Sequence, residues 1–268
     1  MIQFNSQNTF KEIHYNSHDI KYVYGGCSGD LVWEKEPQPF GGKFKLTLND
    51  SSVVTAACDA TSAVTRNEIS SQYSGTVVSA EIGDCAISIG NVAFQYCSGL
   101  TSCTIGSSVT SIGTNAFYRC SGLTNIDIPN SVTTIGNNAF VNCTSLASAT
   151  LGNNITSINN NTFSDCKSLT GITIPNSVTS IGQQAFFNCT SLTDLTIPDS
   201  VTSIGIYAFQ NCSGLTSITV NAVTPPSLGN NVFYNTNDCP IYVPAESVDV
   251  YKTASGWSDY TNRIQAIP

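Results

Sequence analysis

Six cysteines, Cys97, Cys120, Cys143, Cys166, Cys189 and Cys212, stand 23 residues apart, and each follows a phenylalanine by three. Phe94, Phe117, Phe140, Phe163, Phe186 and Phe209 therefore share the step, as do Ile89, Ile112, Ile135, Ile158, Ile181 and Ile204. A unit this short has too little apolar surface to fold alone. Copies must stack and bury a continuous core, so the chain is expected to coil into a solenoid with a cap at each end.

The other columns support stacking. Leu100, Leu123, Leu146, Leu169, Leu192 and Leu215 start each unit, and Ile105, Ile128, Leu151, Ile174, Ile197 and Val220 follow five residues later. Between them the pattern L-x-x-[LI]-x-[IV]-P alternates inward and outward, as a short half-buried strand does. Pro129, Pro175 and Pro198 end strands where no further ladder donor is needed. Gly90, Gly113, Gly136, Gly182 and Gly205, with Asn159 as the one replacement, are read as a turn with positive φ.

The unit S-V-T-S-I-G-x-x-A-F-x-x-C-x-S-L-T-x-x-T-I-P, nearly complete from Ser177 to Pro198, resembles the BspA-like leucine-rich repeat family of bacterial surface proteins. Where the commonest leucine-rich repeat carries an asparagine ladder after the strand, this chain has Ser108, Ser131, Ser177 and Ser200. The resemblance implies a β-rich α/β solenoid, with short parallel strands on a concave face, a second short strand near V-T-S-I-G and short helical turns outside. A β N-cap and a small helical C-cap would close its ends. The matching stretch runs over residues 77–244 and holds eight stacked strands.

The remaining segments divide around it. Residues 1–40 read as a small β attachment module of three strands, whose I-x-Y-N-x-x-x-I-K-x-V-Y-x-G and LVWEKE stretches resemble N-terminal modules of phage tail-associated and bacterial surface proteins. Residues 41–76 read as a β N-terminal cap after a Pro/Gly linker, and residues 245–268 as a C-terminal cap with a short helix and Trp257 and Ile264 folding back. Near Pro225 and Pro226 the register slips by one residue, so that Phe233 takes the place due at 232.

Composition excludes several functions. With 10 basic against 18 acidic residues and a net charge of -8, the chain lacks the clustered cations that bind nucleic acid. No apolar run reaches membrane-span length, and Met1 to Phe10 lack a signal-peptide core. The repeated cysteines are expected to be buried free thiols filling the outer turn, without nucleophilic or metal roles. His14 and His18 are the only histidines and lie outside the repeats. No catalytic residue, metal ligand or cofactor is assigned.

What the repeats offer is a surface. Outward positions on the strands are Ser102, Thr104, Asn125, Asp127, Ser148, Thr150, Thr173, Asp194, Thr196, Ser217 and Thr219, with Gly171 between. At about 4.8 Å per coil they form a shallow face suited to a protein or glycan partner, not a small-molecule pocket. Aromatic residues gather instead on the outer turn, at Tyr96, Tyr118, Phe187 and Tyr207, a second candidate surface. The expected function is non-catalytic binding or adhesion outside the cell or at its surface, with residues 1–40 attaching the protein to a partner. The alternative is a structural virion component, a tail or head decoration docked by its N-terminal module.

Overall fold

The structure, a computed structural model, describes residues 42–58 and 63–268, all within the unit 39–268. The three strands and attachment role read for residues 1–40 lie outside the described residues.

Alternation of apolar and hydroxyl residues after each leucine produces strands that bury one side and expose the other. They run Val77–Ile82, Ser102–Ile105, Asn125–Asp127, Ser148–Thr150, Gly171–Ile172, Asp194–Ile197, Ser217–Val220 and Ile241–Val243. A ninth, Ile264–Ala266, comes from the C-terminal cap and pairs in parallel with Ile241–Val243. Pairing keeps the sequence step, with Ile126 opposite Ala149 and Leu195 opposite Ile218. Two further ladders of two-residue strands, Ala63–Val64 to Thr134–Ile135 and Ser157–Ile158 to Ser227–Leu228, supply the isoleucine column.

The register slip is confined. Ser203 faces Ser227 and Phe209 stacks on Phe233, both one residue beyond the period, while Ile218 still faces Ile241. The extra residue is thus taken up at 221–226 and given back before the next long strand. Between the ladders, Phe94, Phe117, Phe140, Phe163, Phe186, Phe209 and Phe233 form one buried stack, with successive centroids 5.0 to 5.8 Å apart and planes within 14°.

Outside that stack the expected helical turn is a run of tight hydrogen-bonded turns. The residues two before and two after each phenylalanine have φ between 53° and 65° in every copy. This geometry lets alternate N–H groups leave the turn and donate to the next coil: Asn138 to the Asn160 carbonyl, Phe140 to that of Thr162 and Asn142 to that of Ser164, each at 2.9 Å.

The glycine column needs a different explanation from the one its sequence suggested. None of its members has positive φ; Gly256 is the one described glycine that does. Instead, a Cβ at Gly113 would lie 2.5 Å from the Asn91 backbone nitrogen, so the column marks close approach of successive coils. Asn159 fits by donating from its Nδ2 to the Ile135 carbonyl of the coil before.

Both ends are closed. Phe44–Leu48 pairs antiparallel with Val53–Ala56 and with Val77–Ile82, covering the first parallel strand with a hairpin. Lys43, buried, donates to Glu68 Oε1 at 2.7 Å, and a disulfide joins Cys58 to Cys85. At the other end the helix Val248–Thr253 and the 3-10 helix Trp257–Arg263 lay Tyr251 and Trp257 over the last coil, where they donate to the Ala222 and Pro226 carbonyls.

Candidate functional site

The strand alternation that fills the core sends its other set of side chains to one surface. Ser102, Thr104, Asn125, Asp127, Ser148, Thr150, Thr173, Asp194 and Thr196 are all exposed there, and Ser217 and Thr219 half-buried. Thr173 follows directly on the strand Gly171–Ile172. Register brings them into two rows, with Asn125 beside Ser148, Asp127 beside Thr150, Asp194 beside Ser217 and Thr196 beside Thr219. The second row continues to Glu81, which pairs with Lys45 at 3.4 Å, and to Tyr242 and Gln265.

Hydroxyls on the solenoid are of two kinds. Thr101, Thr124, Thr170, Thr193 and Thr216 donate from Oγ1 to the carbonyl one coil earlier at 2.9 to 3.3 Å, and Thr110, Thr133, Thr179 and Thr202 do so on the short-strand side. The hydroxyls of Thr104, Thr150, Thr173, Thr196 and Thr219 make no such bond among the described residues. One carboxylate of the face is held in place: Asp194 accepts from the Ser217 hydroxyl at 3.3 Å and lies 3.0 Å from Thr193 Oγ1 and 3.3 Å from Thr216 Oγ1, whose single protons it shares with the backbone carbonyls. The sequence reading missed the structural threonines, although their places after the unit's leucine, as in Leu192-Thr193 with Ala147 the exception, and after its valine, as in Val201-Thr202, carry the same period.

The cysteines are positioned as packing groups. Cys97, Cys120, Cys143, Cys166, Cys189 and Cys212 are buried free thiols, and from Cys120 onward each Sγ lies 3.0 to 3.3 Å from the phenylalanine carbonyl of the preceding coil. Burial pushes the Cys97 and Cys143 thiols up to about 12, so no thiolate forms near neutral pH. In the last coil Thr236 replaces the cysteine and donates to the carbonyl of its own Phe233 at 2.9 Å, while Arg263 of the cap donates to that same carbonyl and to Thr236 Oγ1. The Cys58–Cys85 bond was not anticipated; neither residue belongs to the repeated column.

Among the described residues no group of three or more His, Cys, Asp and Glu side chains could hold one metal ion, and no helix is long and apolar enough to cross a membrane. Beside the slipped loop a groove of about 420 Å³ runs between Asp199, Thr202, Val223 and Pro225. Of the outer-turn aromatics, Tyr96 is 51% exposed and forms a cluster with Tyr118 and Arg119, while Phe187 and Tyr207 are half-buried.

The family described as "BspA type Leucine rich repeat region" matches residues 70–193 and 156–254, in 6 copies. Among solved structures, a T. pallidum leucine rich repeat protein is 30% identical, with a TM-score of 0.45, over 61% of this chain and 84% of that one. A leucine-rich repeat protein from Bacteroides ovatus is 27% identical, with a TM-score of 0.41, over 61% and 54% of the two chains. A leucine rich cell surface protein from Faecalibacterium prausnitzii is 24% identical, with a TM-score of 0.33, over 70% and 62%. No curated protein matches the chain.

Proposed function

Because the chain belongs to the BspA-type leucine-rich repeat family, we propose that it is a non-catalytic binding protein whose long-strand face recognises a protein or glycan outside the cell. The observation that carries this reading is the division of hydroxyls. Threonines flanking the face are engaged by the backbone, whereas those on it, from Thr104 to Thr219, keep donors and acceptors free at a regular step. A row at about 4.8 Å intervals suits an extended partner that touches several coils at once. Weak polar contacts repeated along one rigid surface then sum to useful affinity.

An extracellular setting is supported by the Cys58–Cys85 disulfide, since such bonds persist in oxidising compartments. The virion alternative rests on residues 1–40 and draws no support from the described residues.

Glycan and protein arrays probed with the full chain test the reading, alongside a variant carrying Thr150→Arg and Thr196→Arg. Both sites are exposed, so the variant is expected to fold and to lose the bound target. Empty arrays, or equal binding by the variant, would overturn the assignment of this face.

A further inference from the structure

The outer turns hold a left-handed position two residues after each stacked phenylalanine, and its occupants are uneven. Asn142, Asp165, Asn188, Asn211 and Asn235 fill it in the later coils, with φ between 57° and 62°. Asparagine and aspartate tolerate this region because their short polar side chains bond locally. In the first two coils the same position holds Tyr96 at φ 65° and Arg119 at φ 59°. Burial does not offset the conformational cost, since Tyr96 is 51% exposed and Arg119 is exposed.

These two residues and Tyr118 form one cluster. The Arg119 guanidinium carbon lies 5.9 Å from the Tyr96 ring centroid and 5.5 Å from that of Tyr118, and the two rings meet edge to face at 5.7 Å. Arg119 makes no ion pair and no side-chain hydrogen bond among the described residues, so its N–H fork is oriented but unoccupied. Strained backbone retained under an exposed, preorganised cation and two aromatics is the pattern of a binding site.

We propose that Tyr96, Tyr118 and Arg119 bind a terminal carboxylate-bearing sugar, such as a sialic or uronic acid. A planar carboxylate matches the guanidinium fork with two parallel hydrogen bonds. The exposed Tyr96 ring, where Arg119 does not cover it, offers apolar surface to a pyranose, and its hydroxyl a partner for the polar edge.

Size decides against a protein partner. A stable protein interface covers roughly 800 Å² on each side, whereas this cluster occupies two coils about 4.8 Å apart, and the next copy of the same left-handed position holds the polar Asn142. The net charge of -8 disfavours a polyanionic chain and leaves a single acidic terminus as the fitting ligand. This site lies on the outer turn and stands independently of the long-strand face.

Calorimetry and saturation-transfer NMR on the full chain, with sialyllactose, a glucuronate-terminated trisaccharide and lactose as probes, test the proposal. At least one acidic sugar should bind tenfold or more tightly than lactose, and added salt should weaken it. A Tyr96→Asn, Arg119→Asn double variant places the column's commonest residue at both sites, so its melting temperature should be unchanged or higher while binding is lost. Equal affinity for lactose, absence of binding to both acidic probes, or retained binding in the variant would overturn the site. A melting temperature several degrees lower in the variant would also overturn it, by showing that the cluster exists for packing.

Discussion

At the scale of single residues, the outer turn shows how a repeat tolerates exceptions. Its other left-handed position, two residues before the phenylalanine, holds Asn115, Asn138, Asn161 and Asn231, but also Val92 at φ 56°. A β-branched side chain is poorly suited there. Val92 is half-buried and outside the hydrophobic core, so its conformational cost is not offset by packing. Val92→Asn is expected to raise stability by about 1 kcal/mol, read by denaturant unfolding; destabilisation of that size would show that the valine packs usefully. The asparagines spaced four apart around two of the phenylalanines, Asn138 and Asn142 about Phe140 and Asn231 and Asn235 about Phe233, were a visible sign of paired left-handed residues. The glycine column pointed elsewhere, because glycine signals both positive φ and close approach, and sequence alone does not separate the two.

At the scale of elements, the repeated strands were legible because every buried column carried the same period, and the caps were legible only as classes. What joins the N-cap to the first coil has no repeat to reveal it. Glu68 accepts from Lys43 at 2.7 Å through Oε1 and from the Thr65 N–H and hydroxyl at 2.7 Å through Oε2. Partial burial acts to raise its pKa, but these hydrogen bonds outweigh it and hold the carboxyl below its ordinary value. A depressed folded-state pKa means that the stabilisation is complete above the unfolded value and is lost as pH falls through the folded one. The protection of the Phe44–Leu48 amides against hydrogen exchange, taken relative to their intrinsic rates at each pH, should therefore fall on acidification below the usual glutamate range. Glu68→Gln should exchange faster at neutral pH and lose most of that dependence. An acid response identical in wild type and variant would assign the effect to another group.

At the scale of the solenoid, stability depends on one property, the coupling of each coil to its neighbours alone. The aromatic stack is the most continuous expression of it, and Phe163 sits at its centre, 5.3 Å from Phe140 and 5.5 Å from Phe186. Phe163→Ala would remove about 3 to 5 kcal/mol from two adjacent interfaces at once. In a compact globule that loss lowers a single transition. In a one-dimensional array it weakens the link between two halves, so unfolding should broaden or split, with exchange rising first in the coils around 140–186. The same change at Phe233, which is covered by Trp257 and Tyr260, should mainly release the C-terminal cap and leave the earlier coils protected. One sharp transition of unchanged midpoint in Phe163→Ala would mean that the stack does not carry the coupling. The polar face runs over these same coils, so a partner touching several of them should restore the single transition when bound.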